Sequence, residues 1–484
     1  MRKELEYLES VSRRLDMPAD DRIASLQSII GYGEEFLKEI DDIPVYQESP
    51  ESLETLQGCD FEDDGKSLDQ LLAILRQAVD STGINPAAAG HLGYVPGGGV
   101  FPSALGDYLA AVTNRYAGIY YANPGAVILE NLCVQWMAKI IGYPEQHAGN
   151  LSSGGSIATL TALTAARDWH EIKPENVRNQ VIYLTTQTHH CVLKALRIAA
   201  LDYSHVRMVE MNTAYQMDPE DLNRKIEIDK RAGLNPFLIV ASAGSTDLGI
   251  IDPLDEIASI AKREGCWFHI DAAYGGFFVL TDELSGLLSA LAKSDSVVLD
   301  PHKGLFLSYG TGAVLIKNRA AAIKSHYYRA NYMQDAEGDF EVLNPADISP
   351  ELTKHFRGLR MWLSLQLLGI KPYKAALTEK LLLARYFHSE VQKIGFKVGP
   401  DPTLSVCLFR ISGNNPESEN QQNRALMNAI LKTGKIFLSS TTLDGTFWLR
   451  ICVMVFRTHK RNIDELLKIL RDQYETYAKS GKII

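Results

Sequence analysis

The sequence predicts an α/β protein with a mainly parallel sheet, and three observations carry that expectation. Apolar runs rich in β-branched and aromatic residues recur from about residue 90 onward: QVIYLTT (180–186), HVRMVEM (205–211), PFLIVASAG (236–244), CWFHIDAAY (266–274), SVVLDP (296–301) and GAVLIKN (312–318). Amphipathic stretches such as VLKALRIAALD (192–202) and LDEIASIAKREG (254–265) lie between them, and strands separated by helices at this spacing build βαβ units. Finally, 484 residues that are 46% hydrophobic, with 36 Gly and 19 Pro, have ordinary globular composition and enough length for a large core and two or three domains.

Taken in chain order, residues 1–85 read as a polar-faced helical arm broken by the acidic stretch ESPESLETLQGCDFEDDGKS (48–67). It offers too little apolar surface for a core of its own, so it is expected to pack on a second copy of the chain. Residues 86–358 hold the alternating strands and helices of the large domain. Residues 359–484 follow RGLRMWLSLQLLG with a helix at 378–394, strand-like SVCLFRI (405–411), a helix at 421–433 and FWLRICVMV (447–455). That order suggests a small α+β domain with antiparallel strands.

Charge and composition narrow the function. A formal net charge of −10 argues against nucleic acid, which calls for a basic face. The start, MRKELEYLESVSRRLD, is a charged amphipathic helix without an apolar leader core, and no apolar run reaches the ~18 residues of a membrane span. Six scattered cysteines show no metal-like spacing, which fits free thiols in a reducing cytoplasm.

The chemistry is expected at the carboxyl ends of the strands, where ligands gather in such sheets. Lys303 falls just past the run Val297–Leu299, a place where a lysine needs something to compensate its charge. Asp271 ends the apolar run WFHID; alone it reads equally as a cap or turn acid. The two are 303 − 271 = 32 residues apart with one βαβ-like step between, so both can emerge at one sheet edge. That is the geometry for a pyridoxal phosphate ring, with lysine as Schiff base and aspartate on the pyridinium nitrogen. NLSSGGSIATLTALTAARD (150–168) is a glycine-rich turn opening a helix, suited to one phosphate as well as to simple serine capping. It has neither the P-loop nor the GxGxxG spacing, so a nucleotide is not favoured. TTQTHHCVLKAL (185–196) puts two histidines after a strand; adjacent histidines without a nearby carboxylate or cysteine at ligand spacing argue against a metal, whereas one imidazole can lie flat on an aromatic cofactor. Ser245 and Thr246 in AGSTDLGIID offer hydroxyls at a further strand end.

Together HIDAAYGG (269–276), DPHK (300–303), THHCVLKAL (188–196), SSGGSIATLTALTAAR (152–167) and HFRGLRMW (355–362) resemble the group II pyridoxal-phosphate-dependent amino-acid decarboxylases, the family of aromatic-L-amino-acid decarboxylase. The resemblance covers roughly residues 85–460 and implies a fold type I architecture, pyridoxal 5'-phosphate as cofactor, an amino-acid substrate and a homodimer with its site between subunits. By position it makes Lys303 the residue bonded to the cofactor aldehyde and Asp271 the partner of the ring nitrogen. Ala273 would lie under the ring and His189 on its outer face, with Thr246 near the ring substituents. Gly155, Ser156 and His302, with Asp300 beside them, would hold the phosphate. Burial should lower the pKa of Lys303 and make it a nucleophile near neutral pH.

Departures from the family mark where specificity could differ. Gly304 follows the lysine where many relatives have Trp, opening space or changing a packing contact. In GHLGYVPGGGVFPSALGD (90–107) Tyr94 and Pro96 match the aromatic decarboxylases, but Gly97 replaces a usual Thr, and His91 and Leu92 replace aromatics. These are the candidate substrate contacts, faced by aromatic residues of RYAGIYYANPG (115–125), although ordinary core is an equal reading of the aromatics. The stretch 326–353 corresponds to a loop that in the family closes on the site and delivers a catalytic Tyr; here Tyr332 is the candidate, and Asp339-Phe340 stands where relatives carry Asp-Tyr. Relatives with Phe in that role divert the reaction to an aldehyde. Decarboxylation of an aromatic amino acid to the amine is thus the leading expectation. Oxidative decarboxylation, an acidic or diamino substrate, a transaminase or lyase of the same fold, and a non-enzymatic binding protein are the alternatives.

Overall fold

The computed structural model describes residues 1–48, 50–328, 342–413 and 416–480. The arm carries helices α1 (Arg2–Ser12), α2 (Ala19–Glu39), α3 (Pro50–Gln57) and α4 (Leu68–Leu75), tied down by the antiparallel pair β1 (Tyr46–Gln47) and β2 (Gly83–Ile84). Helices α1, α2 and α4 bury no residue. They leave Leu5, Tyr7, Leu8, Ile23 and Ile30 in solvent, as a segment without a core of its own must.

Helices α5 (Phe101–Thr113) and α6 (Pro124–Ile141) lead into the main sheet. Its strands and helices alternate as the periodicity predicts: β3 (Ala148–Ser152), α7 (Gly155–Trp169), β4 (Gln180–Leu184), α8 (His190–Ile198), β5 (His205–Met208), α9 (Pro219–Arg231), β6 (Asn235–Ser242), α10 (Leu254–Glu264), β7 (Trp267–Asp271), β8 (Ser296–Leu299), the single turn α11 (Pro301–Gly304) and β9 (Gly312–Ile316). The seven strands lie in the order β3-β9-β8-β7-β6-β4-β5. The pairs from β8 through β5 are parallel, and only β9 runs against both of its neighbours. Buried on both faces, the central strands read as continuous apolar runs rather than alternating ones, whereas the edge strand β5 (HVRM) has no buried residue. Strand β3 escaped the sequence reading because AGNLS contains no β-branched or aromatic residue; its pairing with β9, not its propensity, makes it a strand.

The chain continues through α12 (Arg319–His326), α13 (Arg357–Leu368), α14 (Ile370–Ile394), β10 (Lys397–Val398), β11 (Val406–Arg410), α15 (Pro416–Lys432), β12 (Ser439–Leu443), β13 (Thr446–Cys452) and α16 (Lys460–Ser480). The four strands form an antiparallel sheet, order β10-β11-β13-β12, over a separate core that includes Phe387, Phe409, Leu426, Ile451 and Leu466.

A buried ion pair fixes the base of the site. Lys354 Nζ donates to Glu130 Oε2 (2.8 Å), Asn150 Oδ1 (2.7 Å) and the Leu151 carbonyl (3.1 Å), while Glu130 Oε1 accepts the Gly358 N–H at 2.6 Å. One charge pair thus joins α6, β3 and the start of α13 just before the chain turns into α7. Both side chains are essentially inaccessible, so removing one strands the other in low dielectric. Lys354→Met is expected to lower unfolding free energy by about 3–5 kcal/mol, read as a shifted denaturant midpoint.

Candidate active site

The carboxyl ends of β4, β6, β7 and β8 and the first turn of α7 surround a cavity of about 740 Å³. Strand β8 stops at Leu299, Asp300 stays extended, and proline at the first helical position starts the one-turn helix that carries Lys303. Asp271 ends the neighbouring β7, in register with Val298 of β8, so the 32-residue separation does deliver both side chains to one edge. Lys303 Nζ lies 3.0 Å from Asp300 Oδ2, which answers what compensates its charge. The expectation of a lowered lysine pKa is corrected. Burial does push it down, but Asp300 and Asp271 outweigh burial and the net shift is upward. Lys303 is therefore an ammonium at pH 7.

Asp271 uses Oδ1 to accept the Ala273 N–H at 3.1 Å, which fixes the carboxylate plane. His189 caps α8, its Nδ1 accepting the Cys191 N–H at 3.3 Å, so the proton of the neutral ring resides on Nε2. Burial lowers its pKa, against an opposing pull from Asp271, and the ring is therefore neutral at pH 7. Donor atoms of His189, Cys191 and Asp271 lie within 4.8 Å of one another, close enough to share a cation, a trio that motif spacing had hidden because it spans two strand ends.

The other end of the cavity is a bare turn. Gly154 caps α7 without any side-chain bond to its first N–H groups. A Cβ on Gly312 would meet the Gly154 backbone at 2.4 Å, so glycine is required there, and one at Gly155 would meet Asp300 Oδ2 at 2.9 Å and would have to displace that carboxyl. Open N–H groups at the positive end of a helix suit a phosphate. Ser156 and Thr246 line the cavity, and His302 beside them ties Nδ1 to the Thr311 carbonyl at 2.6 Å.

Tyr94, more than half exposed and held at φ 51°, lines the cavity, a left-handed conformation that costs a tyrosine about 1–3 kcal/mol. The other candidate substrate contacts lie elsewhere. Gly97 presses on the lysine turn, where a Cβ would sit 2.2 Å from the His302 carbonyl oxygen; it permits a close backbone approach and is not on the cavity wall. His91 is buried edge-on to Phe437 (5.3 Å), with neither ring nitrogen partnered among the described residues and burial lowering its pKa to about 4. It is a core histidine. Pro96 is likewise absent from the cavity wall, whereas Val95 is part of it. Tyr332 and Asp339-Phe340 lie outside the described residues.

The structure adds contributors that sequence reasoning missed: Tyr309, Ser439, Ser440 and Arg450. Buried Arg450 donates to the carbonyls of Thr246 (2.7 Å), Asp247 (3.0 Å) and Tyr94 (3.1 Å) and to Ser439 Oγ (3.2 Å), holding two walls of the cavity to β13. An arginine inside the apolar strand FWLRICV was the available signal. At Gly304, a Cβ would meet Phe277 Cβ at 2.6 Å; Phe277, stacked on Trp136, already fills the place a larger residue would take. Gly304→Ala should destabilise by about 1–3 kcal/mol through overpacking, seen as a lower Tm.

These residues fit pyridoxal phosphate: a lysine for the aldehyde, an acid for the ring nitrogen, a small residue and an imidazole for the ring faces, and an unfilled helix start for the phosphate. They define an α/β enzyme that carries this cofactor at the carboxyl edge of its sheet. Residues 50–412 match the family model of the pyridoxal-dependent decarboxylase conserved domain, and the chain belongs to that family. Its cofactor is pyridoxal 5'-phosphate and its reaction is amino-acid decarboxylation. The chain is 31% identical over 385 residues to the aromatic-L-amino-acid decarboxylase of Bacillus atrophaeus, covering 78% of this chain and 79% of that one. It is 27% identical over 454 residues to phenylacetaldehyde synthase of Arabidopsis thaliana, covering 91% and 93%. The crystal structure of Oryza sativa TDC with PLP and tryptamine superposes with a TM-score of 0.89 at 23% identity, over 95% of this chain and 99% of that one, showing the same fold. No described helix is long and apolar enough to cross a membrane.

Proposed function

We propose that the protein decarboxylates an aromatic L-amino acid such as Phe, Tyr, DOPA or Trp to its amine and CO2. The observation that carries the reading is Tyr94 and Tyr309 on the cavity wall, each more than half exposed and so available to an aromatic side chain. The activity named for the Bacillus relative supports it.

Bound pyridoxal phosphate supplies an electron-accepting ring for the electrons left when CO2 departs. Lys303 would hold its aldehyde carbon and Asp271 its ring nitrogen. His189 and Ala273 would flank the ring, Thr246 would lie at its substituents, and Gly155, Ser156, Asp300 and His302 would surround the phosphate. Lys303 would shed a proton to become a nucleophilic amine and would release the product amine. Asp271 would keep a proton on the ring nitrogen electrostatically. His189, neutral, would flank the ring without adding charge. Tyr332 remains the candidate for returning a proton to Cα.

The aldehyde reading is favoured by one feature, Asp339-Phe340 where relatives carry Asp-Tyr, and by the activity named for the Arabidopsis relative. Incubation with all proteinogenic amino acids plus DOPA, with mass detection of products and a peroxide assay, tests both. Amine with CO2 from an aromatic substrate supports decarboxylation; aldehyde with catalase-sensitive peroxide supports the second reading; no CO2 from any aromatic substrate overturns both.

The division at residues 85 and 358 into arm, cofactor domain and small domain belongs to the same reading. So does a homodimer with its site at the interface, supported by the uncovered apolar side chains of the arm together with Phe101, Leu105, Tyr108 and Val112 of α5. Six free cysteines, five of them buried, suit a reducing cytoplasm.

A further inference from the structure

The stretch HFRGLRMW (355–362) carries part of the family resemblance, yet the proposed reaction gives its second arginine no role. Arg360, on α13, is 6% exposed and stands behind the cavity rather than on its wall. A carboxylate fork holds its guanidinium: Nε donates to Asp107 Oδ1 and Nη2 to Asp107 Oδ2, both at 2.7 Å. His355 Nε2 also reaches Oδ1, at 3.0 Å. Helices α5 and α13 come this close because residue 106 is glycine; a Cβ there would meet Arg360 Cα at 2.6 Å. The remaining nitrogen, Nη1, faces residues 308–311. It lies 3.1 Å from the Ser308 carbonyl, 2.6 Å from the Tyr309 carbonyl and 2.8 Å from Thr311 Oγ1.

Both ends of that strip are tied down without Arg360. The Ser308 N–H donates to Ser103 Oγ at 3.0 Å, and the Thr311 carbonyl accepts the His302 N–H at 3.3 Å and stands 2.6 Å from His302 Nδ1. Between the ends, Gly310 turns the chain at φ 93°. The Tyr309 carbonyl has no partner but Arg360 among the described residues. The Tyr309 ring, more than half exposed on the cavity wall, lies edge-on to His302 with 5.8 Å between centroids. Its place on the wall therefore depends on the peptide that carries it.

We propose that Arg360 is a positioning residue for the substrate: clamped by Asp107, it fixes the main chain of Tyr309 and thereby the ring that meets the substrate's aromatic side chain. The proposal rests on the reading that Tyr309 faces an aromatic substrate. A bridge from α5 to α13 needs only Nε, Nη2 and the carboxylate; Nη1 is what reaches the wall. Bonds from a charged donor are about twice as strong as neutral ones. The planar guanidinium also sets their direction, which a lysine ammonium cannot do while pairing with both Asp107 oxygens. Without the guanidinium, the Ser308 and Tyr309 carbonyls face an emptied site and their peptides turn toward water. The ring then leaves the position that substrate needs. Ground state and transition state lose that contact alike, so the loss falls on KM rather than kcat.

A double-mutant cycle on the holoenzyme tests this, with cofactor saturating and CO2 followed from L-phenylalanine, L-tyrosine, DOPA and L-tryptophan. Tyr309→Ala and Arg360→Met should each raise KM about tenfold with kcat within about threefold of the unaltered enzyme. The double variant should match the larger single effect instead of reaching about a hundredfold, because one residue acts through the other. Asp107→Asn keeps the guanidinium but loosens its fork; it should raise KM about threefold and add nothing in Tyr309→Ala. That second variant decides the matter if Arg360→Met does not fold. Effects that multiply, a loss confined to kcat, or an unchanged KM in Arg360→Met (in Asp107→Asn where the former is unfolded) overturn the proposal alone and leave Arg360 a brace between helices. An unchanged KM in Tyr309→Ala, or no CO2 from any of the four amino acids, overturns the aromatic wall and the proposal together.

Discussion

Replacing Lys303 with Ala is expected to lower kcat/KM by at least about 10⁴-fold, ~5.4 kcal/mol of transition-state stabilisation. In the proposed function the lysine would hold the cofactor, orient it, and expel the product amine, and no neighbour substitutes for it: Asp300, His302 and Asp271 carry no amine. The loss should fall on kcat, because substrate and cofactor contacts on the cavity walls remain. Borohydride treatment followed by peptide mapping should label a peptide containing residue 303 in the unaltered protein and nothing in the variant. Label at another lysine would show that the cavity described here is not where the aldehyde is held. The variant also removes the counter-charge of Asp300, so folding must be checked.

Most of the strands that could be read from sequence are buried on both faces, because apolar runs such as FLIVAS and VVL announce themselves; the exposed edge strand β5 is the exception. The Lys303 and Asp271 pair was legible for a related reason. Each ends such a run, and parallel strands deliver their carboxyl ends to one edge whatever the loops do. What stayed hidden depended on contacts between segments far apart in the chain. Strand β3 exists through pairing with β9, some 160 residues later. Arg450 reaches the cavity from the small sheet, and Gly97 reads as a substrate contact until the His302 carbonyl is found 2.2 Å from its missing Cβ. The lysine pKa failed as an expectation because burial alone was weighed, whereas Asp300, three residues earlier on the same turn, and Asp271, at the end of the adjacent strand, together reverse its effect. Local chemistry was visible; charge balance across the sheet edge was not.

Asp271→Asn separates charge from shape at the same edge. The amide is nearly isosteric, and its oxygen can still accept the Ala273 N–H now held by Oδ1 at 3.1 Å, so the backbone turn should survive. What changes is the group facing the ring nitrogen. An ionised carboxylate favours a proton there; an amide –NH2 presents a donor to it and disfavours the protonated ring. Without that proton the ring accepts electrons poorly, and the step that releases CO2 slows. The expected result is a kcat lower by about 10³-fold, ~4 kcal/mol, with KM changed far less, since the cavity-wall side chains of Tyr94 and Tyr309 are untouched. The second expected change is spectroscopic, a shift in cofactor absorbance toward the unprotonated ring, which a merely structural defect would not produce. A cofactor analogue methylated at the ring nitrogen carries a fixed positive charge and should restore part of the lost rate in Asp271→Asn. Loss of rate with an unchanged spectrum, or no restoration by the methylated analogue, would show that Asp271 holds the turn after β7 rather than the charge of the ring.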